Sequence, residues 1–363
     1  MAASTRWNGE APRVSFIVPS YNYGHLVHQA VESLLGQTFT DLEVIVIDDA
    51  SQDDTATRLV AYRDHPRVRI VTHTENRGHI LSYNEGLQMA RGEYIGLLSA
   101  DDVCLLADAV ERQVTIFDQY PDVGFVYSAY HFIDANGRVL WLKQPWDNDY
   151  VRPGHEEFKD LAFEDYVPAS GTLVRRTCHE SLGYYDERLP HAGDWDLWLR
   201  IASRYEVGYV AAPLYGYRVH EANMHHSSVT PRQATVENAL TMSRAFSAVR
   251  QANPHLLQLE RGCTVHALLI STTVDRNAGR AMRAWGGLVA AIRAYPLILA
   301  TPGFWGALAR LVLLTALGHR RYVAIARRVG GEKVRTPHTR AVADRYRLAT
   351  RADVRTGARE QIA

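Results

Sequence analysis

Cysteine is scarce: Cys104, Cys178 and Cys263 are the only three in 363 residues. Thiols so few and so far apart make neither a disulfide framework nor a zinc site of regular ligand spacing, which points to a reducing, cytoplasmic compartment. The stretch Met1 to Glu10 is polar and has none of the apolar core that a secretion signal needs, so the active site is expected to stay in the cytoplasm. Long hydrophobic runs are missing too. The longest uncharged stretch near the tail, Ala294 to Ala309, is broken by Pro296, Pro302 and Gly303 and falls short of the roughly 20 residues that span a bilayer. No transmembrane helix is expected. No glycine-rich dinucleotide fingerprint and no phosphate-loop Lys-Ser/Thr motif follows any predicted strand, which disfavours hydride transfer with NAD and P-loop ATP hydrolysis.

What is present suits a globular protein. With 47% apolar residues, a chain of this length buries a full core and leaves material for a second domain. The formal charge is zero, but from Arg276 onward 17 Lys and Arg face 4 Asp and Glu. The head is therefore acidic and the tail basic.

Val14 to Val18 is a short apolar run closed by Pro19, which suits a buried strand. After Ser20-Tyr21-Asn22, apolar residues at Leu26, Ala30, Val31, Leu34 and Leu35 recur at helical spacing. Leu42 to Ile47 and Val68 to Val71 read as the next strands, and Ile80 to Ala90 as a helix leading into a fourth strand, Tyr94 to Leu98. Strands that are apolar on both faces and alternate with helices predict a mostly parallel sheet covered by helices. In such sheets ligands gather beyond the carboxyl ends of the strands. Three predicted strands end in chemistry there: before Ser20-Tyr21-Asn22, before Asp48-Asp49, and before Ser99-Ala100-Asp101-Asp102.

The same segments carry a family text. Val-Ser-Phe-Ile-Val-Pro-Ser-Tyr-Asn (14–22), Gln-Thr-Phe (37–39), Val-Ile-Asp-Asp-Ala-Ser-Gln-Asp-Asp-Thr (46–55), Ala-Arg-Gly-Glu-Tyr-Ile (90–95) and Ser-Ala-Asp-Asp (99–102) come first. Gly-Tyr-Tyr-Asp-Glu (183–187), Gly-Asp-Trp-Asp-Leu-Trp-Leu-Arg (193–200) and Tyr-Arg-Val-His (217–220) follow. In this order, over roughly the first 225 residues, they resemble the family 2 glycosyltransferases. The resemblance implies an α/β fold of the GT-A type, a Rossmann-like, mostly parallel sheet flanked by helices, with a C-terminal helical appendage. The expected division is a catalytic domain over 11–230, a helical region over 231–330 and a basic, disordered tail over 331–363.

The resemblance also implies roles. Asp49 corresponds to a contact to the donor's nucleobase, with Pro19 and Tyr21 in the same pocket; the structural alternative is that Asp48 and Asp49 cap the next helix. Ser99-Ala100-Asp101 stands where the family usually has Asp-x-Asp, so Ala100 and Asp101 line the donor and Asp101 matches the ligand to Mn²⁺ or Mg²⁺, with Ser99 replacing the first acid. Asp102 reads as a helix N-cap. Asp194 matches the general base that takes the acceptor hydroxyl's proton in an inverting transfer, Asp196 being its understudy and Trp195 part of the acceptor or donor wall. Many members have Glu before that Asp; here it is Gly193. Arg218 and His220 resemble an Arg-x-His element over the donor diphosphate, Arg218 contacting phosphate and His220 the metal, with His225 and His226 close behind.

The expected partners are a nucleotide-sugar donor and a glycan or lipid-linked acceptor; no nucleic acid is expected. Beyond about residue 231 the pattern turns helical, over Leu256 to Thr273, Gly279 to Tyr295 and Phe304 to Leu317. Its apolar faces with Trp285, Phe304 and Trp305 among many Arg residues suit either a packed bundle or a peripheral surface against an anionic membrane. Two other functions share much of the pattern. A sugar nucleotidyltransferase would normally carry a glycine-rich basic loop after its first strand, which Ser20 to Gly24 lacks. A catalytically silent nucleotide-sugar-binding protein fits the loss of acids at Ser99 and Gly193.

Overall fold

The structure is a computed structural model and describes residues 11–220, 230–277 and 279–329. His225, His226 and the basic tail from 331 lie outside the described residues. Strands and helices alternate at first: β1 (Val14–Ser20), α1 (Val27–Leu35), β2 (Leu42–Asp48), α2 (Thr55–Leu59), β3 (Val68–Thr72), α3 (His79–Met89) and β4 (Tyr94–Leu97). The apolar, β-branched run of β2 is buried along all of its length, as a strand with both faces covered must be. On α1 the buried residues Val27, Ala30, Val31 and Leu34 form one stripe at three- and four-residue spacing. Each such side chain contributes about 1.5–3 kcal/mol on leaving water.

The chain continues through β5 (Val103–Cys104), α4 (Ala109–Gln119), β6 (Val123–Ile133), β7 (Val139–Lys143) and β8 (Tyr150–Arg152). Then come α5 (Gly154–Leu161), β9 (Leu173–Arg175), α6 (Arg176–Leu182), α7 (Gly193–Ala202) and β10 (Glu206–Arg218). All ten strands form one sheet, with β3-β2-β1-β4-β9-β6-β10-β5 along its main path, β7 on β6 and β8 on β10. The long ladders β1–β2, β2–β3 and β6–β10 are parallel, so the sheet is mostly parallel as expected. Short β9 runs antiparallel to both β4 and β6. Two reversals cancel, so the carboxyl ends of β1, β2, β4, β6 and β10 gather on one edge, and the residues entering β9 arrive there too.

Four helices follow: α8 (Pro231–Ala252), α9 (Glu260–Asn277), α10 (Ala281–Ala294) and α11 (Pro302–Val329), the last interrupted at Gly318, whose φ is 73°. The three helices read from the tail are present, with α8 added before them. Leu256 falls in a 3-10 turn, Pro254–Leu259, ahead of α9. The chain divides into two compact units, Met1–Val229 with Glu237–Ala267, and Thr230–Val236 with Leu268–Ala363. The sequence reading ends the first domain at residue 230, whereas the first unit also takes in Glu237–Ala267. In the second unit, Ala284, Leu288 and Ala291 of α10 and Phe304, Leu311 and Leu314 of α11 are buried. Among the described residues no helix is long and apolar enough to cross a membrane.

Candidate active site

Two loops on the catalytic edge are laced together by short-range chemistry. Asn22, at φ 60°, receives a hydrogen bond on Oδ1 from the Gln52 amide (2.7 Å) and donates its own amide to Ser51 Oγ (2.8 Å). Asn tolerates this left-handed backbone better than most residues, which fits its place after β1. The Gly24 amide donates to Asp53 Oδ2 (2.9 Å), and a Cβ at Gly24 would lie 2.7 Å from the Thr55 backbone nitrogen, so only glycine fits. Beside this lacing, Pro19 is half-buried and Tyr21 is 43% exposed, both on the rim of the edge.

Asp49 is buried, and neither it nor Asp48 caps the next helix, α2. Helix α2 begins only at Thr55, whose amide donates to Asp53 Oδ1 (3.0 Å), while Asp48 Oδ1 accepts from the Ser51 amide (3.1 Å). Asp49 organises the segment after β3. Its Oδ1 accepts from the Arg77 amide (2.9 Å), its Oδ2 from the Gly78 amide (2.8 Å), and His73 Nδ1 lies 2.7 Å from Oδ1. Burial pushes this carboxyl's pKa up, but the two amides and His73 outweigh burial and hold it below the ordinary value.

The segment after β4 carries the second cluster. Ala100 is buried, with its amide on the Pro19 carbonyl (3.3 Å), and Ser99 donates its amide to Ser170 Oγ (2.8 Å), just before β9. Asp101 Oδ2 lies 3.0 Å from His220 Nε2, and the ring of Tyr23 meets that of His220 edge-on at 5.6 Å. Burial and the Asp101 carboxylate both raise the pKa of the Tyr23 hydroxyl. Asp102 is not a helix cap. It is followed by β5, and its Oδ1 accepts the Arg218 amide (2.8 Å) at the end of β10. Burial and neighbouring Asp101 push the Asp102 pKa well up.

Arg218 is 1% exposed, and its guanidinium is engaged by the chain's own acceptors. Nε donates to the Asp101 carbonyl (2.6 Å), Nη1 to the carbonyls of Asp134 (3.1 Å) and Ala135 (3.0 Å), and Nη2 to Gln29 Oε1 (3.0 Å). The planar fork thus ties α1, the β6–β7 turn and the Asp101 segment together. Beside it a cavity of about 300 Å³ is lined by Asn22, Tyr23, His25, Leu26, Ala135, Arg218 and His220. The motif's arginine borders this space from within the wall.

Asp194 sits in the first turn of α7, half-buried, accepting the Trp195 amide on Oδ1 (2.9 Å). Burial raises its pKa; the Trp195 amide, His191 and His79 pull the other way. The neighbouring candidates prove structural. Asp196 is fully buried between Arg200 Nε (2.8 Å) and Arg244 Nε (2.7 Å), and Trp195 is buried with its indole N–H on the Leu161 carbonyl (2.6 Å). Neither the understudy base nor the acceptor wall is where the sequence reading puts it. Tyr83 links the clusters: its hydroxyl pKa is raised by burial, then by the charges of Asp101 and Asp194 together. The metal candidate and the base candidate are thus both in electrostatic reach of one buried hydroxyl.

A model of the glycosyl transferase family 2 domain matches residues 15–181, in which the Asp49 and Asp101 segments lie. The chain is 29% identical over 216 residues to an uncharacterized glycosyltransferase, RT0329, of Rickettsia typhi, covering 59% of this chain and 66% of that protein. The match thus spans just under two thirds of that relative's length. The chain carries a family 2 glycosyltransferase domain. This domain is also 28% identical over 188 residues to an Escherichia coli enzyme, UDP-Glc:alpha-D-GlcNAc-diphosphoundecaprenol beta-1,3-glucosyltransferase WfgD, covering 52% of this chain and 69% of that one. Its fold is that of TarS 1-349 from S. aureus, at TM-score 0.61 and 18% identity over 88% of this chain and 92% of TarS 1-349. TarS 1-349 has also been solved with UDP-GlcNAc.

Sequence reasoning about the glycosyltransferase domain missed several residues at this edge. Tyr23 lies one residue past the quoted first motif and gave no signal of its own. Asp165 has its pKa raised by burial of its carboxyl and by Asp194, so the base candidate has a second carboxylate in its field. Its text, Glu-Asp-Tyr, matched no motif. Glu237 of α8 was hidden because that helix lies beyond the resemblance.

Proposed function

We propose that the protein is an inverting glycosyltransferase that moves a sugar from a nucleotide-diphosphate donor to a hydroxyl of a glycan or lipid-linked acceptor. The observation that carries this reading is the Asp101–His220 pair, 3.0 Å apart beyond the strand ends of a family 2 glycosyltransferase domain, with Asp194 in electrostatic reach of the same Tyr83 hydroxyl as Asp101. The UDP-GlcNAc complex of TarS supports a nucleotide-sugar donor, and the diphosphoundecaprenol-linked acceptor of WfgD supports a lipid-linked acceptor.

In this mechanism Asp49, Pro19 and Tyr21 face the nucleoside, while Ala100 and Asp101 line the diphosphate. Arg218 holds the Asp101 segment in place from behind. Among the described residues there is no cluster of three or more metal-ligating side chains, but the Asp101 carboxylate and the His220 imidazole lie 3.0 Å apart. This pair fits Mn²⁺ or Mg²⁺ that takes its remaining oxygens from diphosphate and water. Such an ion, when bound, stabilises the negative charge that grows on the leaving diphosphate. Asp194 accepts the acceptor hydroxyl's proton as that oxygen attacks the anomeric carbon opposite the diphosphate. Its raised pKa makes it a stronger base than a solvated carboxylate.

The second unit adds a location. Met282 (84% exposed), Leu297 (63%) and Trp305 (56%) face solvent in a segment with a basic excess, which supports peripheral attachment to an anionic membrane on the cytoplasmic side. The deciding experiment is transfer itself: a panel of sugar nucleotides titrated with Mn²⁺, followed by product analysis. Tight donor binding without transfer to any acceptor would favour a silent binding protein instead.

A further inference from the structure

The start of helix α7 is served only in part by its own sequence, through Asp194 Oδ1 on the Trp195 amide. Its N-cap, Ala192, offers no side-chain acceptor, so the amides at the helix start need an outside partner. That partner comes from α8. Glu237, 3% exposed, accepts the His191 amide (2.7 Å) and the Ala192 amide (3.1 Å), both on Oε2. A buried carboxylate at the positive end of a helix is well placed, and this one arrives from 45 residues away in sequence. Asp194 follows two residues after the gripped amides, so where they stand decides where its carboxylate points.

The rest of the approach to α7 is held at other stations. Asn84 of α3 exchanges two hydrogen bonds with the Tyr185 backbone, at 2.9 and 3.0 Å, and Asp186 is paired by Arg188 and Arg244. Those contacts fix residues 184–186. Glu237 fixes the pair directly before the helix.

We propose that Glu237 is a positioning residue for the transfer reaction: it aims Asp194 at the acceptor hydroxyl by gripping the amides of His191 and Ala192. This rests on Asp194 being the base. These two hydrogen bonds go to one oxygen, and an amide oxygen accepts them as a carboxylate oxygen does. Glu237→Gln keeps an oxygen at the same distance from the chain, whereas Glu237→Asp keeps the charge but is one methylene short.

The test is steady-state transfer by the full chain with the best donor from the panel, for Glu237→Asp, Glu237→Gln, Asp194→Asn and the Glu237→Asp/Asp194→Asn double variant. Small misplacements of a catalytic group cost on the order of 100-fold. The expected result is a kcat loss of that order in Glu237→Asp with donor KM within about twofold, near wild-type kcat in Glu237→Gln, and no further loss in the double variant. If Asp194→Asn is silent while Glu237→Asp turns over within about threefold of wild type, the inference is overturned and the base assignment stands. Full turnover in Asp194→Asn overturns both. Thermal melts accompany each variant, and Glu237→Ala replaces Glu237→Asp if the latter does not fold.

Discussion

Around Asp49, both carboxylate oxygens meet backbone amides and a histidine ring, whereas around Asp194 the Trp195 amide is set against burial. The first setting lowers the pKa and the second raises it. One group, the carboxylate, is thereby given two chemistries. Asp49 is kept charged and accepts from its own neighbours; Asp194 is kept ready to hold a proton. The contrast also separates how each is positioned, since Asp49 is fixed through its own oxygens and Asp194 through the backbone that precedes it.

The largest effect expected is from the base. Asp194→Asn should lower kcat by about 10²–10⁴-fold, the usual contribution of a positioned base, with donor affinity unchanged by calorimetry. Wild-type kcat should fall as pH drops through a value above the ordinary carboxylate range, because Asp194 is then protonated. A profile flat to pH 4 would remove Asp194 from the role. Next in size is Asp101→Ala, expected to weaken Mn²⁺-dependent nucleotide binding by about 10–100-fold, read by titrating Mn²⁺ against a fixed UDP concentration. Equal Mn²⁺ dependence in both proteins would transfer the ligand role elsewhere.

Asp49→Ala should act on stability as well as on binding, by about 1–3 kcal/mol for each amide left unpaired, measured by urea unfolding. Its pH dependence has a sign. The lowered Asp49 pKa gives stability that is present above the unfolded carboxylate value and is lost as pH falls through the lowered folded value. The raised pKa of His73, where burial is overcome by Asp49 and Glu85, gives stability present below the unfolded histidine value and lost as pH rises through the raised one. Asp49→Ala should flatten both limbs. The smallest effect expected is on membrane attachment. A Leu297→Ser/Trp305→Ser variant should co-sediment several-fold less with anionic liposomes, and high salt should release the wild type, since each basic residue near such a surface adds about 1 kcal/mol. Equal sedimentation would leave the second unit without a lipid role.

The alternating front of the fold was legible because β1, β2 and β4 are buried along their length and so read as unbroken apolar runs. Short β9 was not, because three residues in a reversed orientation carry no period of their own. At the site, the segments bearing Asp49, Asp101, Asp194 and His220 came from local text. What polar residues do there is set by distant partners: Arg218 answers to Gln29, 189 residues away, and to Asp102, 116 away. The Asp196 pair with Arg244 and the Trp195 bond to Leu161 were hidden for the same reason. A motif names the residue, while its partners decide whether it faces the substrate or the wall.

The reversed insertion of β9 has one more consequence. The segment between Ile133 and Leu173 leaves the sheet at the end of β6 and returns beside β4, beginning and ending on the side where the strand ends gather. Apart from β7 and β8, which lie off the main path, it contributes nothing to the order of the sheet. Such an excursion is a replaceable cassette. Its length and composition can drift between related chains without re-threading a strand, and because loop closure grows only slowly with length, longer versions cost about 0.6 kcal/mol per doubling. Descent could therefore change, in the middle of this segment, what reaches Asp165 and Asp194, provided that its two ends keep Asp134 and Ala135 on Arg218 and Ser170 on Ser99, so that a new surface beside Asp194 would be acquired by exchanging a patch of chain and not by remaking the fold.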